Sequence, residues 1–101
     1  MAMDKLSSIH PGEILREGYL APLDMSVHAL AMELRVPAPR VNEIVRERRA
    51  FAPDTALRWH VTLGTTVQFW IKLQGFYDLK QAEIESDGKI EQEVRPLQMT
   101  A

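Results

Sequence analysis

Ser26-Val-His-Ala-Leu-Ala-Met-Glu-Leu-Arg-Val-Pro-Ala-Pro-Arg-Val-Asn-Glu-Ile-Val-Arg46 is the stretch that decides the fold. Val27, Leu30, Ala31 and Leu34 recur at three- and four-residue spacing, the apolar stripe of an amphipathic helix. Ser26 stands just ahead of that stripe, where a hydroxyl can cap the first free N–H groups. Pro37 breaks the pattern, and a second helical run extends from Ala38 to Arg46. Val41, Ile44 and Val45 form its inner face. At 100° per residue, Pro39, Asn42, Glu43 and Arg46 point the other way. The link between the two runs is only about three residues, as a helix-turn-helix requires. Such a pair presents its second helix to the major groove of DNA.

The neighbouring sequence supplies further helices. Pro11 suits a first helical position, since its missing N–H would be unpaired there anyway. Ile14, Leu15 and Tyr19 lie near one face of the helix that follows, and Pro22 ends it. Pro53 opens a fourth helix, with Asp54 placed favourably in its first turn. Gly64 closes that helix, as glycine commonly does. A fifth starts near Thr65 or Thr66 and carries Phe69, Trp70, Leu73 and Tyr77. Gln81 to Gly88 is polar, and Lys89 to Leu97 fits either a short helix or a short strand. The expected organisation is a helix-turn-helix domain over residues 1–80 and a C-terminal extension over 81–101.

The 101 residues suffice for one core. No cysteine is present, so disulfides and Cys-based zinc sites are excluded. His10, His28 and His60 lack the i, i+3 or i, i+4 pairing of a helical metal site, and no metal or other cofactor is expected. No apolar run approaches the ~20 residues of a membrane helix, and the N-terminus lacks a signal-peptide core. The expected location is cytoplasmic, with no membrane partner. No glycine-rich phosphate loop, nucleophile elbow or catalytic carboxylate pair is present, so no enzyme is expected.

The net charge of −2 is unusual for a nucleic-acid-binding domain, but the distribution is uneven. Residues 35–58 set Arg35, Arg40, Arg46, Arg48, Arg49 and Arg58 against Glu43, Glu47 and Asp54. Residues 78–101 set Lys80, Lys89 and Arg95 against Asp78, Glu83, Glu85, Asp87, Glu91 and Glu93. The middle therefore carries +3 and the end −3, and local potential decides what a surface attracts. On the reading helix, Ala38 and Pro39 can make apolar contacts such as to a thymine methyl. Asn42 suits an adenine edge, Glu43 a cytosine amino group, and Arg40 a guanine or a phosphate. Arg46, Arg48 and Arg49 are placed to hold the phosphate backbone. Ser26 can offer its hydroxyl or the adjacent helix-end N–H groups to another phosphate.

His10-Pro-Gly-Glu-Ile-Leu-Arg-Glu17 resembles the opening of HigA-type antitoxins. So do Val36 to Val45, Asp54-Thr-Ala-Leu-Arg58, Gly64-Thr65 with Phe69-Trp70, and Tyr77-Asp-Leu79, in the family's order and spacing. Ile90 to Leu97 is similar to that family's tail. The resemblance implies an all-α, lambda-repressor-like helix-turn-helix fold of five helices plus the extension. It implies a cytoplasmic homodimer that binds a palindromic operator in double-stranded DNA and represses its own operon. It also implies a partner toxin, a ribosome-dependent mRNA endonuclease of the HigB/RelE type. A solitary helix-turn-helix regulator without a toxin is the alternative. A protein-interaction module that no longer binds DNA is another.

Several residues depart from the family pattern. Arg35 and Glu47 stand where glycine is common, and Ala52 where a capping Ser or Thr is common. Trp59 and His60 replace smaller apolar residues. Trp59 is expected at a dimer interface.

Overall fold

His10 starts the first helix by folding its imidazole back over the chain: Nδ1 accepts the Gly12 N–H at 2.9 Å. The computed structural model describes residues 9–98. Among them are six helices and no strand. Helix α1 (Pro11–Leu15) passes into a π turn (Arg16–Leu20) that delivers Leu20 to the core. Then come α2 (Val27–Leu34), α3 (Ala38–Val45), α4 (Pro53–Leu63), α5 (Val67–Ser86) and α6 (Lys89–Glu93). The all-α helix-turn-helix fold is as expected, with α6 lying in the C-terminal extension.

The inward stripes meet as the periodicity requires. Leu15, Leu30, Ala31, Leu34, Val41, Ile44 and Val45 are all buried in one cluster. Aromatic rings close the other side. Trp70 stacks on Phe51 with centroids 4.8 Å apart, and Trp59 meets Trp70 edge-on at 6.2 Å. Tyr19 packs edge-on against Trp59 at 5.1 Å. Such pairs add about 0.5–1.5 kcal/mol each beyond the area they bury. Trp59 is 1% exposed, which corrects its expected place at a dimer interface. It follows Ala56 by three positions on the inner face of α4, so its bulk fills the core of its own chain.

Helix α5 runs past residue 80 without a break and ends at Asp87, whose φ of 43° stops it. Beyond Leu73 and Gln74 its apolar side chains lose their cover. Leu79 and Ile84 on α5, Ile90 on α6, and then Val94 and Leu97 are exposed. Among the described residues no helix is long and apolar enough to cross a membrane.

The caps of α2 and α4 differ. Ser26 Oγ accepts the Ala29 N–H at 3.0 Å, whereas Ala52 has the extended backbone of an N-cap but no side chain to accept with. Ala52→Ser should therefore raise stability by about 1 kcal/mol through a bond to an N–H of the first turn. The urea midpoint measures the gain; an unchanged midpoint would show that this end is already satisfied.

Candidate nucleic-acid interface

Helix α3 is amphipathic and is gripped along its inner side. Val41, Ile44 and Val45 are buried, while Pro39, Glu43 and Arg46 are exposed. Ala38, Arg40 and Asn42 are half-buried at the margin. The outer face predicted from the wheel is therefore the face open to a ligand.

Helix α1 fixes that face in place. Gly12 packs so closely that a Cβ there would fall 1.8 Å from the Ile44 carbonyl oxygen. The Arg16 guanidinium donates to the carbonyl of Val45, at the end of α3, and reaches a Glu47 carboxylate oxygen at 3.3 Å. Those last carbonyls have no partner within their own helix, so a cation there both bonds and meets the negative end of the dipole. His10, which shapes the Gly12 turn, is buried and packs edge-on against Tyr77 of α5 at 4.9 Å. Burial pushes the pKa of His10 down, and Nδ1 must stay unprotonated to accept from Gly12.

The turn that aims α3 is a Schellman motif. The Val36 N–H donates to Ala31 and the Arg35 N–H to Met32, while Arg35 takes a left-handed φ of 60°. The same motif closes α3. Arg48 N–H donates to Glu43, Glu47 N–H to Ile44, and Glu47 has a φ of 63°. Both departures from glycine thus occupy left-handed positions, and the geometry is kept at a cost in backbone strain.

No protein-family model matches the chain. Relatives and solved structures do. The chain is 52% identical to virulence-associated protein I of Dichelobacter nodosus over 80 residues, which are 79% of this chain and 74% of that protein. It superposes on the Pseudomonas aeruginosa antitoxin HigA with the higBA promoter at a TM-score of 0.84. Identity there is 46%, over 90% of this chain and 99% of that one. Antitoxin GraA in complex with its operator gives a TM-score of 0.83 and 44% identity, covering 90% and 92%. The chain belongs to the HigA-type family of helix-turn-helix antitoxins.

In this HigA-type frame, Ala38, Pro39, Arg40, Asn42, Glu43 and Arg46 share α3 or its end, and Arg48 and Arg49 follow at once in the loop. Ser26 stands on another element, with its hydroxyl oxygen already accepting from Ala29. Three of the charges, Arg40, Glu43 and Arg49, are internally engaged. Glu43 lies 3.8 Å from Arg49, and Arg40 lies 4.0 Å from Asp54. Among the described residues Arg46 and Arg48 have no carboxylate at ion-pair distance.

Arg58 has a different job from the other arginines of the basic segment. Its Nη1 donates to the carbonyls of Leu34 at 2.9 Å and Arg35 at 3.3 Å, and its Nε to Asp54 at 3.0 Å. The Asp54–Arg58 spacing of four on one helix is a readable signal for that last pair. The bonds to α2 carry none.

Proposed function

We propose that this chain is a DNA-binding antitoxin that represses its own operon and neutralises a HigB/RelE-type mRNA endonuclease. The observation that carries the DNA half is the outer face of α3. It is clamped from behind by Gly12 and Arg16 and flanked by Arg46 and Arg48, which have no carboxylate at ion-pair distance among the described residues. In this reading α3 enters the major groove. Asn42 and Glu43 face base edges, Ala38 and Pro39 make apolar contacts, and Arg40 serves a guanine or a phosphate. Arg46, Arg48, Arg49 and the capped start of α2 at Ser26 hold the backbone. One helix spans too few base pairs for useful specificity, so the acting species is a two-fold homodimer in the cytoplasm. Its reading helices then lie about 34 Å apart, one turn of DNA.

The toxin half is supported by family membership, since the similar structures are those of the antitoxins HigA and GraA. Two assays test the two halves separately. A gel shift at low salt with DNA from upstream of the gene should show a specific complex, and its absence would overturn the DNA half. Co-expression with the product of the adjacent reading frame should relieve that product's growth arrest; persistent arrest would overturn the antitoxin half.

A further inference from the structure

The motif Asp54-Thr-Ala-Leu-Arg58 has no part in reading DNA on the scheme above. Its two charged ends nonetheless join three elements. Asp54 Oδ2 receives Arg58 Nε at 3.0 Å and stands 4.0 Å from Nη1 of Arg40, so one oxygen lies between two guanidinium groups. Arg58 also grips the Leu34 and Arg35 carbonyls. Those are the groups that the Schellman bonds to Ala31 and Met32 leave free. Hydrogen bonds from one guanidinium thus join the end of α2 to α4, and the Asp54 carboxylate brings the first turn of α3 within ion-pair distance of them.

We propose that Asp54 and Arg58 are positioning residues for DNA recognition: Arg58 locks the end of α2 and holds Asp54, which sets the pose of Arg40 on the reading helix. The proposal rests on the DNA-binding reading of α3. An exposed ion pair is worth little in stability, and Asp54 and Arg58 side chains are 60% and 41% exposed. A carboxylate beside a phosphate-binding face also repels the ligand. What the arrangement supplies is geometry. Arg40 comes within ion-pair distance of Asp54 through one nitrogen, at 4.0 Å, which leaves the rest of its fork for DNA.

Electrostatics and positioning predict opposite outcomes for Asp54→Asn. Loss of a negative charge alone tightens binding to every DNA. Loss of positioning lowers the ratio of operator to random-DNA affinity by roughly tenfold, with random-DNA affinity unchanged or raised. In an Arg40→Ala background Asp54→Asn should then no longer change that ratio. Arg58→Lys keeps the charge but cannot span two carbonyls and a carboxylate, so it should lower the ratio too. Fluorescence-anisotropy titrations of the full chain measure both affinities, at a temperature where melting curves show every variant folded. Parallel tightening on both DNAs, or an equal loss of ratio with and without Arg40, would overturn the role of Asp54. An unchanged ratio in Arg58→Lys would overturn that of Arg58. A wild-type chain that binds no upstream DNA is seen before any variant is made; it refutes the DNA-binding reading and this inference with it.

Discussion

Gly12→Ala should cost about 3 kcal/mol of folding stability, the upper end of what overpacking a core does. The added Cβ would lie 1.8 Å from the Ile44 carbonyl oxygen and 2.8 Å from its carbon. Both atoms belong to the backbone of α3, so no side chain can swing aside. Either α1 or α3 must move, and the interior is too closely packed to absorb the shift locally. Movement would also strain the His10–Gly12 bond and the Arg16 link to the end of α3. Gly75→Ala is the internal control. Nothing lies within 4 Å of a Cβ there, and the residue sits inside α5. That substitution should stabilise by about 0.5–1 kcal/mol, because alanine is the better helix former. Urea unfolding of both variants, compared through the midpoint at equal slope, gives the answer. A midpoint for Gly12→Ala equal to that of the wild type would mean that α1 does not press on α3.

The close approach behind that prediction was written in the sequence only as a resemblance, in His10-Pro-Gly. No periodicity says which glycine faces a carbonyl. The helix pair was far more legible. Apolar spacing and the breaks at Pro37, Pro53 and Gly64 put α3 at Ala38 to Arg46, against an observed Ala38–Val45. They put α4 between Pro53 and Gly64, as found. Strong local signals were enough where each helix needed one buried stripe. They were misleading where composition hid geometry. The polar run after Lys80 has no apolar stripe, yet α5 continues to Ser86 because Gln81, Ala82, Glu83 and Glu85 are good helix formers without burial. Trp59 looked like an interface residue because a large ring replaced a smaller one. The space it fills is made by Tyr19 and Trp70, from two other elements.

The candidate site divides in the same way. Its outer face followed from the helical wheel, while the supports behind it did not. Arg16 reaches a carbonyl 29 positions away and Arg58 one 24 away, and a bond from a side chain to a distant main-chain carbonyl leaves no pattern in sequence. In sequence Arg58 therefore contributes only to the positive charge of residues 35–58 and to the Asp54–Arg58 motif. Arg35 and Glu47 are the intermediate case. Each was marked as a non-glycine residue at a glycine position, and each holds the left-handed conformation that makes the question sharp.

Replacing Arg46, Arg48 and Arg49 together by alanine is expected to weaken operator binding on the order of a hundred- to a thousandfold near 0.1 M salt, if each meets a phosphate. The magnitude follows from counterion release. Every neutralised phosphate contributes about 0.9 to the slope of log affinity against log salt, so three lost contacts should lower that slope by roughly 2.7. The fold should tolerate the change. All three residues are exposed, and among the described residues only Arg49 of the three meets a carboxylate, that of Glu43 at 3.8 Å. The Schellman bonds that close α3 run through main-chain groups that alanine retains. Stability should thus stay within about 1 kcal/mol of the wild type. Preference among operator sequences should also persist, because phosphate contacts position without reading. Asn42→Ala should do the reverse: little effect on the salt slope, and a loss of discrimination at one base pair of about 1–3 kcal/mol. Salt titrations of both variants against operator and single-base mutants separate the two behaviours. A triple variant with the wild-type slope would move the phosphate contacts off the end of α3. An Asn42→Ala variant with unchanged preference would remove that side chain from the reading face, leaving Glu43 and Arg40 to carry it. Arg40 would then bear more of the specificity than any wheel could indicate, and its pose beside Asp54 would become the quantity on which discrimination depends.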